Sequence, residues 1–371
     1  MNTKLILVSV FLLFIVVSCG KGDKTYTVEI KDGVKYIHNK APLWGSEPKV
    51  ALEFVQKIGD IETEDEDYLL YRPLDVTRDK YGNIYILDRG RFCVRKYNAD
   101  GGFIMDMGKE GQGPGEFLSS IRMDSDPEGN IFVTDLGNSR IQIFTSEGKH
   151  KDSYILQSFF HFFCVQSSGT VIGSANRDIS VDSKLLRKLD AEGNLLKKFG
   201  KPFSSGDHLL LLMVNNVSIE NDDADNIYIT FDYQNRIDKY SPDGELLMSI
   251  DRPLNFEVKH EMKMSRIKYG SEEREYPDPQ MTIVSLGIGV DNKERIWVVT
   301  FNKQPESIGS ASSTVEDYTR MDLEIFDRDG ILLGRLPVPV PFYNMCVSGD
   351  RLLLLDPYQN VCVNEYKIVE K

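Results

Sequence analysis

The stretch Gly129-Asn130-Ile131-Phe132-Val133-Thr134-Asp135, followed after four residues by Arg140-Ile141-Gln142-Ile143-Phe144 and then by Glu147-Gly148, decides the fold. A Gly-Asn turn opens a short β-branched and aromatic run, an Asp closes it, and a second run ends on an acidic residue and Gly. This is the local signature of antiparallel strands joined by tight turns. The same order stands upstream, where Asp79, Gly82 and Asn83 precede Ile84–Asp88, and Val94–Tyr97 run into Asp100 and Gly101. Four weaker copies follow, with second strands beginning near Val171, Ile227, Ile296 and Leu352 and third strands near Leu185, Ile237, Met321 and Val361. Glu192-Gly193, Asp243-Gly244 and Asp329-Gly330 close three of them, and helical periodicity is nearly absent.

A repeat of this length supplies one small sheet that cannot bury its faces alone, and packing six such sheets radially is the propeller solution. The expectation is therefore an all-β chain: one six-bladed β-propeller of four-stranded antiparallel blades. The sixth copy ends before its outer strand, because only three residues follow Ile368. Leu52 to Gly59 matches the outer-strand pattern of Gly102–Gly108 and Leu195–Gly200, so an N-terminal strand is expected to close the last blade and remove exposed sheet edges.

Gly108, Gly111, Gly113, Pro114, Gly115, Glu116 and Phe117, together with Gly129–Val133, Asp135, Asn138 and Arg140–Phe144, resemble an NHL repeat. The likeness is specific in the first two copies and fades along the chain. The Gly108–Gly115 segment lacks the Gly-Lys-Ser/Thr ending of a phosphate-binding loop and reads as a crossover between blades.

The N-terminus is of another kind. Lys4 precedes the apolar run Leu5 to Val17, broken only by Ser9, which is too short for a span of about 20 residues. The run ends in Val16-Val17-Ser18-Cys19, which resembles the lipobox of bacterial lipoprotein signal peptides and implies a lipid on Cys19. The expected organisation is a signal peptide over 1–18, a tether over 19–48 and the propeller over 49–371. With the lipobox, the whole chain resembles the six-bladed propeller lipoproteins of Bacteroides and its relatives. That resemblance implies the bacterial cell envelope, with the outer membrane as the expected location.

A formal charge of −13 on 371 residues argues against nucleic acid, whose binding rests on clustered Lys and Arg. Cys93, Cys164, Cys346 and Cys362 stand singly among apolar strand residues without zinc-site spacing and read as core residues. Cys346 and Cys362 fall on strands two apart, roughly 9.5 Å, too far for a disulfide. The five histidines, His38, His150, His161, His208 and His260, share no repeat position, so neither a catalytic set nor a metal set is assigned and no cofactor is identified. The acidic run from Asp60 to Asp67 reads as a solvated loop. The Asp ending the second strand, at Asp88, Asp135, Asp232 and Asp356, recurs from blade to blade and so reads as scaffold.

In an up-and-down blade with strands a to d, the d-to-a and b-to-c connections share one face. All the long, irregular segments fall there: 60–72, 109–118, 201–214, 251–280 and 302–320. A short helix is expected over Glu257–Tyr269. Elaborated loops on one rim of a regular scaffold are where recognition resides. The candidate binding residues are Tyr71, Arg72, Arg91, Arg140, His208, Tyr233 and Arg236. The expected function is a membrane-anchored module taking an envelope protein, peptide or glycan on this face. The alternative is a lyase or lactonase with a metal ion in the central channel.

Overall fold

The structure, a computed structural model, describes residues 24–156, 160–174, 184–204, 207–269, 272–304 and 318–371. Six blades, each built on four antiparallel strands, follow one another around an axis. Blade 1 holds Pro73–Arg78, Ile84–Asp88, Cys93–Tyr97 and Phe103–Met107 as strands a to d. Blade 2 begins with Ser120–Ser125, blade 3 with Phe163–Val165, blade 4 with Val217–Asn221, blade 5 with Ser285–Val290 and blade 6 with Asn344–Ser348. The last outer strand comes from the N-terminus: Val50–Ile58 pairs antiparallel with Cys362–Glu370, from Val50 opposite Glu370 to Ile58 opposite Val363.

The core is divided among the six blade interfaces, each with its own apolar cluster. Tyr85, Met107, Met123 and Phe144 fill the first, and Trp297, Leu323, Val347 and Leu354 fill the one between blades 5 and 6. No sheet is stable by itself, and burial between neighbours holds the ring. The c-to-d turns lock this packing. Gly193 and Gly244 stand at φ of +84° and +78°, and a Cβ there would run into the Tyr154 and Phe199 rings of the preceding blade. The Gly in the hairpin closers therefore serves both a left-handed turn and a close approach between blades.

The a-to-b turns share a second device. Asp79, Asp126 and Asp222 each accept the backbone N–H groups two and four residues on, and the Asn at the fourth position donates to the same carboxylate. These Asx-type bonds explain why Asp-x-x-x-Asn precedes strand b so regularly.

Two parts of the chain differ from the sequence expectation. The expected tether carries a β-hairpin, Tyr26–Lys31 with Val34–Asn39, whose second strand lies parallel to Leu246–Asp251 and widens blade 4 to six strands. From there Leu43 and Trp44 donate to the carbonyls of Leu332 and Leu333 on the outer strand of blade 5, before the chain enters blade 6. The N-terminal segment is thus a belt over three consecutive outer edges. Buried Asn39 joins two of those blades by donating to the carbonyls of Asp251 and Gly330 and accepting from Leu332 N.

The expected helix over Glu257–Tyr269 is instead one arm of a hairpin, His260–Tyr269 with Glu272–Met281. Its residues Met, Lys and Glu favour helix in isolation, but a ten-residue partner strand offers them a full ladder. The helix that does form is His208–Val214, capped by the Asp207 carboxylate on Leu210 N. The four described cysteines are free, with Cys346 on strand a and Cys362 on strand c of blade 6. Cys19 and residues 305–317 of the fifth long segment lie outside the described residues.

Candidate functional site

Pairing registers stack the strand-a residues into rings around the axis. Asp75, Arg122, Ser218, Gly287 and Asn344 stand opposite Leu87, Thr134, Thr230, Val299 and Leu355, the same place on strand b of each blade, and the Phe162 carbonyl takes the matching bond from Ser174 N. This first ring lies toward the end of strand b and so toward the loop-rich face. Two residues further along strand a stand Thr77, Asp124, Cys164, Glu220, Gly289 and Cys346, since strand side chains return to one face every second residue. Residues of both rings line an axial cavity with about 60 Å³ open to the centres of water molecules.

The rings are rich in carboxyls with few charge partners. Asp75 accepts from Met123 N, Val76 N and the Asn344 amide, yet burial outweighs these bonds and the nearby Arg122 charge and pushes it up to about 6. Asp124 accepts from Ser125 N and Val165 N and is pushed by burial, then by Asp75 and Asp126, to about 7. Glu220 is raised well above the carboxylate range by burial and by the Asp124 charge. At the end of strand b in blade 4, Asp232 is raised by burial to about 7, held back by Asn216 and Arg122.

These shifts make stability pH-dependent. The folded-state values lie above the unfolded ones, so the unfolded chain binds fewer protons between about pH 4 and 7. The stabilisation is present in full below pH 4 and is lost as pH rises through 6 to 7. Asp75 alone, moved from 3.8 to about 6, accounts for roughly 3 kcal/mol. The urea midpoint is expected to be higher at pH 5.5 than at pH 8, and Asp124→Asn with Glu220→Gln should flatten that slope. An unchanged slope in the double variant would count against the channel acids as its source.

Around the mouth, tyrosines and arginines stand side by side, with Arg91 also paired to Glu66. The Arg91 guanidinium sits 4.5 Å from the Tyr71 ring centre, the Tyr343 and Tyr358 rings meet edge-on at 5.8 Å, and Arg122 lies 6.0 Å from Tyr343 and 4.1 Å from Phe162. Exposed Arg72 stands close enough to Tyr358 to counter the rise that burial gives its phenol. Tyr71, Tyr358 and Tyr343 remain 57%, 54% and 40% exposed. Three of the sequence-based candidates, Tyr71, Arg72 and Arg91, therefore belong to this strip on the blade 6 and blade 1 side of the mouth.

The other four candidates do not join it. Arg140 is occupied in holding the 109–117 crossover through the carbonyls of Gly113 and Glu116. Arg236 pairs with Asp238 and donates to the Lys201 carbonyl. Tyr233 packs with Leu210, Val214 and Met281 beneath the helix and the long hairpin, and its carbonyl contacts the His260 ring. His208 is exposed at the first helical position.

Asp88, Asp135 and Asp356 cap backbone N–H groups, Tyr71 and Arg72, Leu118 and Ser119, and Tyr358 to Asn360 respectively. Neither ring contains a histidine, and among the described residues no group of three or more His, Cys, Asp or Glu stands close enough to hold a metal ion. The channel residues Asp75, Arg122, Asp124, Glu220 and Asn344 were not among the sequence-based candidates.

A family model described as a 6-bladed beta-propeller, DUF5128, matches residues 54–307. No curated protein matches the chain. Among solved structures, a DUF4221-family member from Bacteroides vulgatus aligns with TM-score 0.57 at 11% identity, over 87% of this chain and 99% of its own. A protein inferred to be exported, from Bacteroides fragilis, aligns with TM-score 0.58 at 10% identity, over 91% and 99%. A protein of unknown function from Bacteroides thetaiotaomicron gives TM-score 0.52 at 11% identity, over 86% and 76%. At these identities the likeness speaks for the fold.

Proposed function

The chain belongs to the 6-bladed β-propeller family DUF5128, and from that membership we propose that it is a binding module, tethered to the bacterial envelope by a lipid on Cys19, that takes a protein, peptide or glycan partner on its loop-rich face. The observation that carries this reading is the Tyr–Arg strip at the channel mouth. Exposed aromatic rings beside arginines are the side chains that most often anchor a partner, and here they gather on the face that bears the helix, the long hairpin and the Lys109–Phe117 crossover. The opposite face consists of tight, Asp-capped turns.

Tyr71→Ser with Tyr358→Ser is expected to weaken capture of an envelope partner at least tenfold, in line with the usual cost of losing aromatic anchors. Changes at Glu128, Glu147, Glu192 or Asp243 on the tight-turn face should leave capture and stability within about 0.5 kcal/mol of the parent. Hydrogen-exchange protection by the partner on the tight-turn face would overturn the assignment. For the anchor, Cys19→Ala is expected to move the protein from the membrane pellet to the soluble or uncleaved fraction. Unchanged fractionation without lipid label would refute it.

A further inference from the structure

Resting on that reading of the loop-rich face, we propose that Arg122 receives the terminal carboxylate of a peptide whose last residues lie along the tyrosines of the mouth. Four arginines are buried among the described residues, Arg95, Arg122, Arg252 and Arg295. Three of them are paired, with Asp106, Glu324 and Asp291 respectively. Arg122, 7% exposed, forms no ion pair with any of the described residues, although its charge reaches Asp75 and Asp232. Its Nη1 donates to the carbonyls of Leu74 and Ile121 at 3.3 and 3.1 Å, while its buried Nε has no acceptor and its Nη2 bonds to none of the described residues. Nη2, which is not enclosed, is the N–H group left for a guest carboxylate, and the sheltered Nε lies on the same edge of the guanidinium. Stacking on Phe162 at 4.1 Å fixes the plane of the guanidinium without using either edge.

The space beside it suits the end of a chain: with about 60 Å³ open to the centres of water molecules, it has room for a carboxylate and its α-carbon. Beneath lie Asp124 and Glu220, whose carboxyls burial raises, so they oppose a guest anion less than two ordinary carboxylates would. Outward, Tyr343, Tyr358 and Tyr71 provide exposed rings for apolar side chains near the terminus.

The test uses the full chain in detergent micelles, dialysed against randomised N-acetylated tetrapeptides as free acids or as C-terminal amides, with retention read by mass spectrometry. Acids should be retained at least about tenfold over amides, as expected for a charge-assisted hydrogen bond, and Arg122→Gln should abolish the preference. Should that variant fail to fold, millimolar propionate should still displace the acid peptides from the parent protein. Equal retention of acids and amides, no retention of either, no displacement by propionate, or capture of tetragalacturonate in place of the acid peptides would each overturn the proposal. Acids and amides retained alike, with exchange protection at Tyr343 and Tyr358, would overturn the carboxylate site and leave the binding face standing. Protection confined to the Glu128 and Glu147 turns would sink both.

Discussion

A chain shortened to begin at Asp60 is expected to lose cooperative unfolding and to aggregate. Val50–Ile58 is both the outer strand of blade 6 and the covalent link from that blade to blade 1. Val50 is fully buried in the cluster between blades 5 and 6, and Ile58 in the one between blades 6 and 1. Removing the strand leaves an unpaired edge along Cys362–Glu370 and a ring joined at that seam by packing alone. The loss is on the order of a whole domain's stability, about 5–15 kcal/mol. Deleting residues 24–40 strips the hairpin from blade 4 but leaves the ring closed, so it should lower the urea midpoint while keeping a single transition. Circular dichroism through a urea series distinguishes the two truncations, and an Asp60-start chain that melts like the parent would refute the closure.

The strands and the closing segment were legible because each blade repeats one pattern and the sixth copy visibly lacks a piece that the N-terminus carries. The hairpin at Tyr26–Asn39 had a signal of its own. Asp32 and Gly33 form its two-residue turn, both at positive φ, 52° and 83°, which is the preferred Asp-Gly hairpin connection. That signal was obscured by its position between the N-terminal apolar run and the repeat, and by polar residues such as Glu29 and Lys35 that resemble a tether. The hairpin at His260–Met281 was hidden differently. Its cross-strand pairs, Arg266 with Glu275 and Ser265 with Asp278, become neighbours only after the chain has turned, whereas helix propensity can be read residue by residue.

The candidate site divides along the same line. Tyr71 and Arg72 could be named because they end a long irregular segment on the loop-rich face, and Arg91 because it follows the strand-b Asp of a clear repeat. Asp75, Arg122, Asp124 and Glu220 sit at alternate positions of strand a, where period-two alternation reads as an ordinary solvent face. Alternation tells which residues share a face. It does not tell that in a closed ring this face meets five others across a narrow axis, where burial lifts carboxyls toward neutrality. Asp232 shows the limit of repeat logic too, since Phe231 occupies the place held by Asp88, Asp135 and Asp356 on strand b. Displaced by one residue, Asp232 meets the Asn216 amide instead of a pair of turn N–H groups.

Glu324→Ala is expected to be the most damaging single substitution away from the mouth. Glu324, 1% exposed on strand c of blade 5, accepts from Thr300 Oγ1 at 2.8 Å and pairs with Arg252 Nε at 3.0 Å and Arg335 Nε at 2.9 Å. Arg252 leaves blade 4 and reaches Ser285 at the start of blade 5, and Arg335 donates to the Pro253 carbonyl, so the carboxylate joins two blades and their connection. Burial lowers the Arg252 guanidinium from its ordinary value, and the Glu324 charge is the largest influence opposing that. Alanine leaves Arg252 fully buried without its counter-charge, a situation that costs about 3–5 kcal/mol. Replacing both partners, Glu324→Leu with Arg252→Met, removes the stranded charge as well as the pair, so the double variant should be less destabilised than the sum of the singles by at least about 1 kcal/mol. Urea midpoints of the four proteins measure that difference. A Glu324→Ala protein within 1 kcal/mol of the parent would mean that water or a neighbouring acid has taken the carboxylate's place beside Arg252.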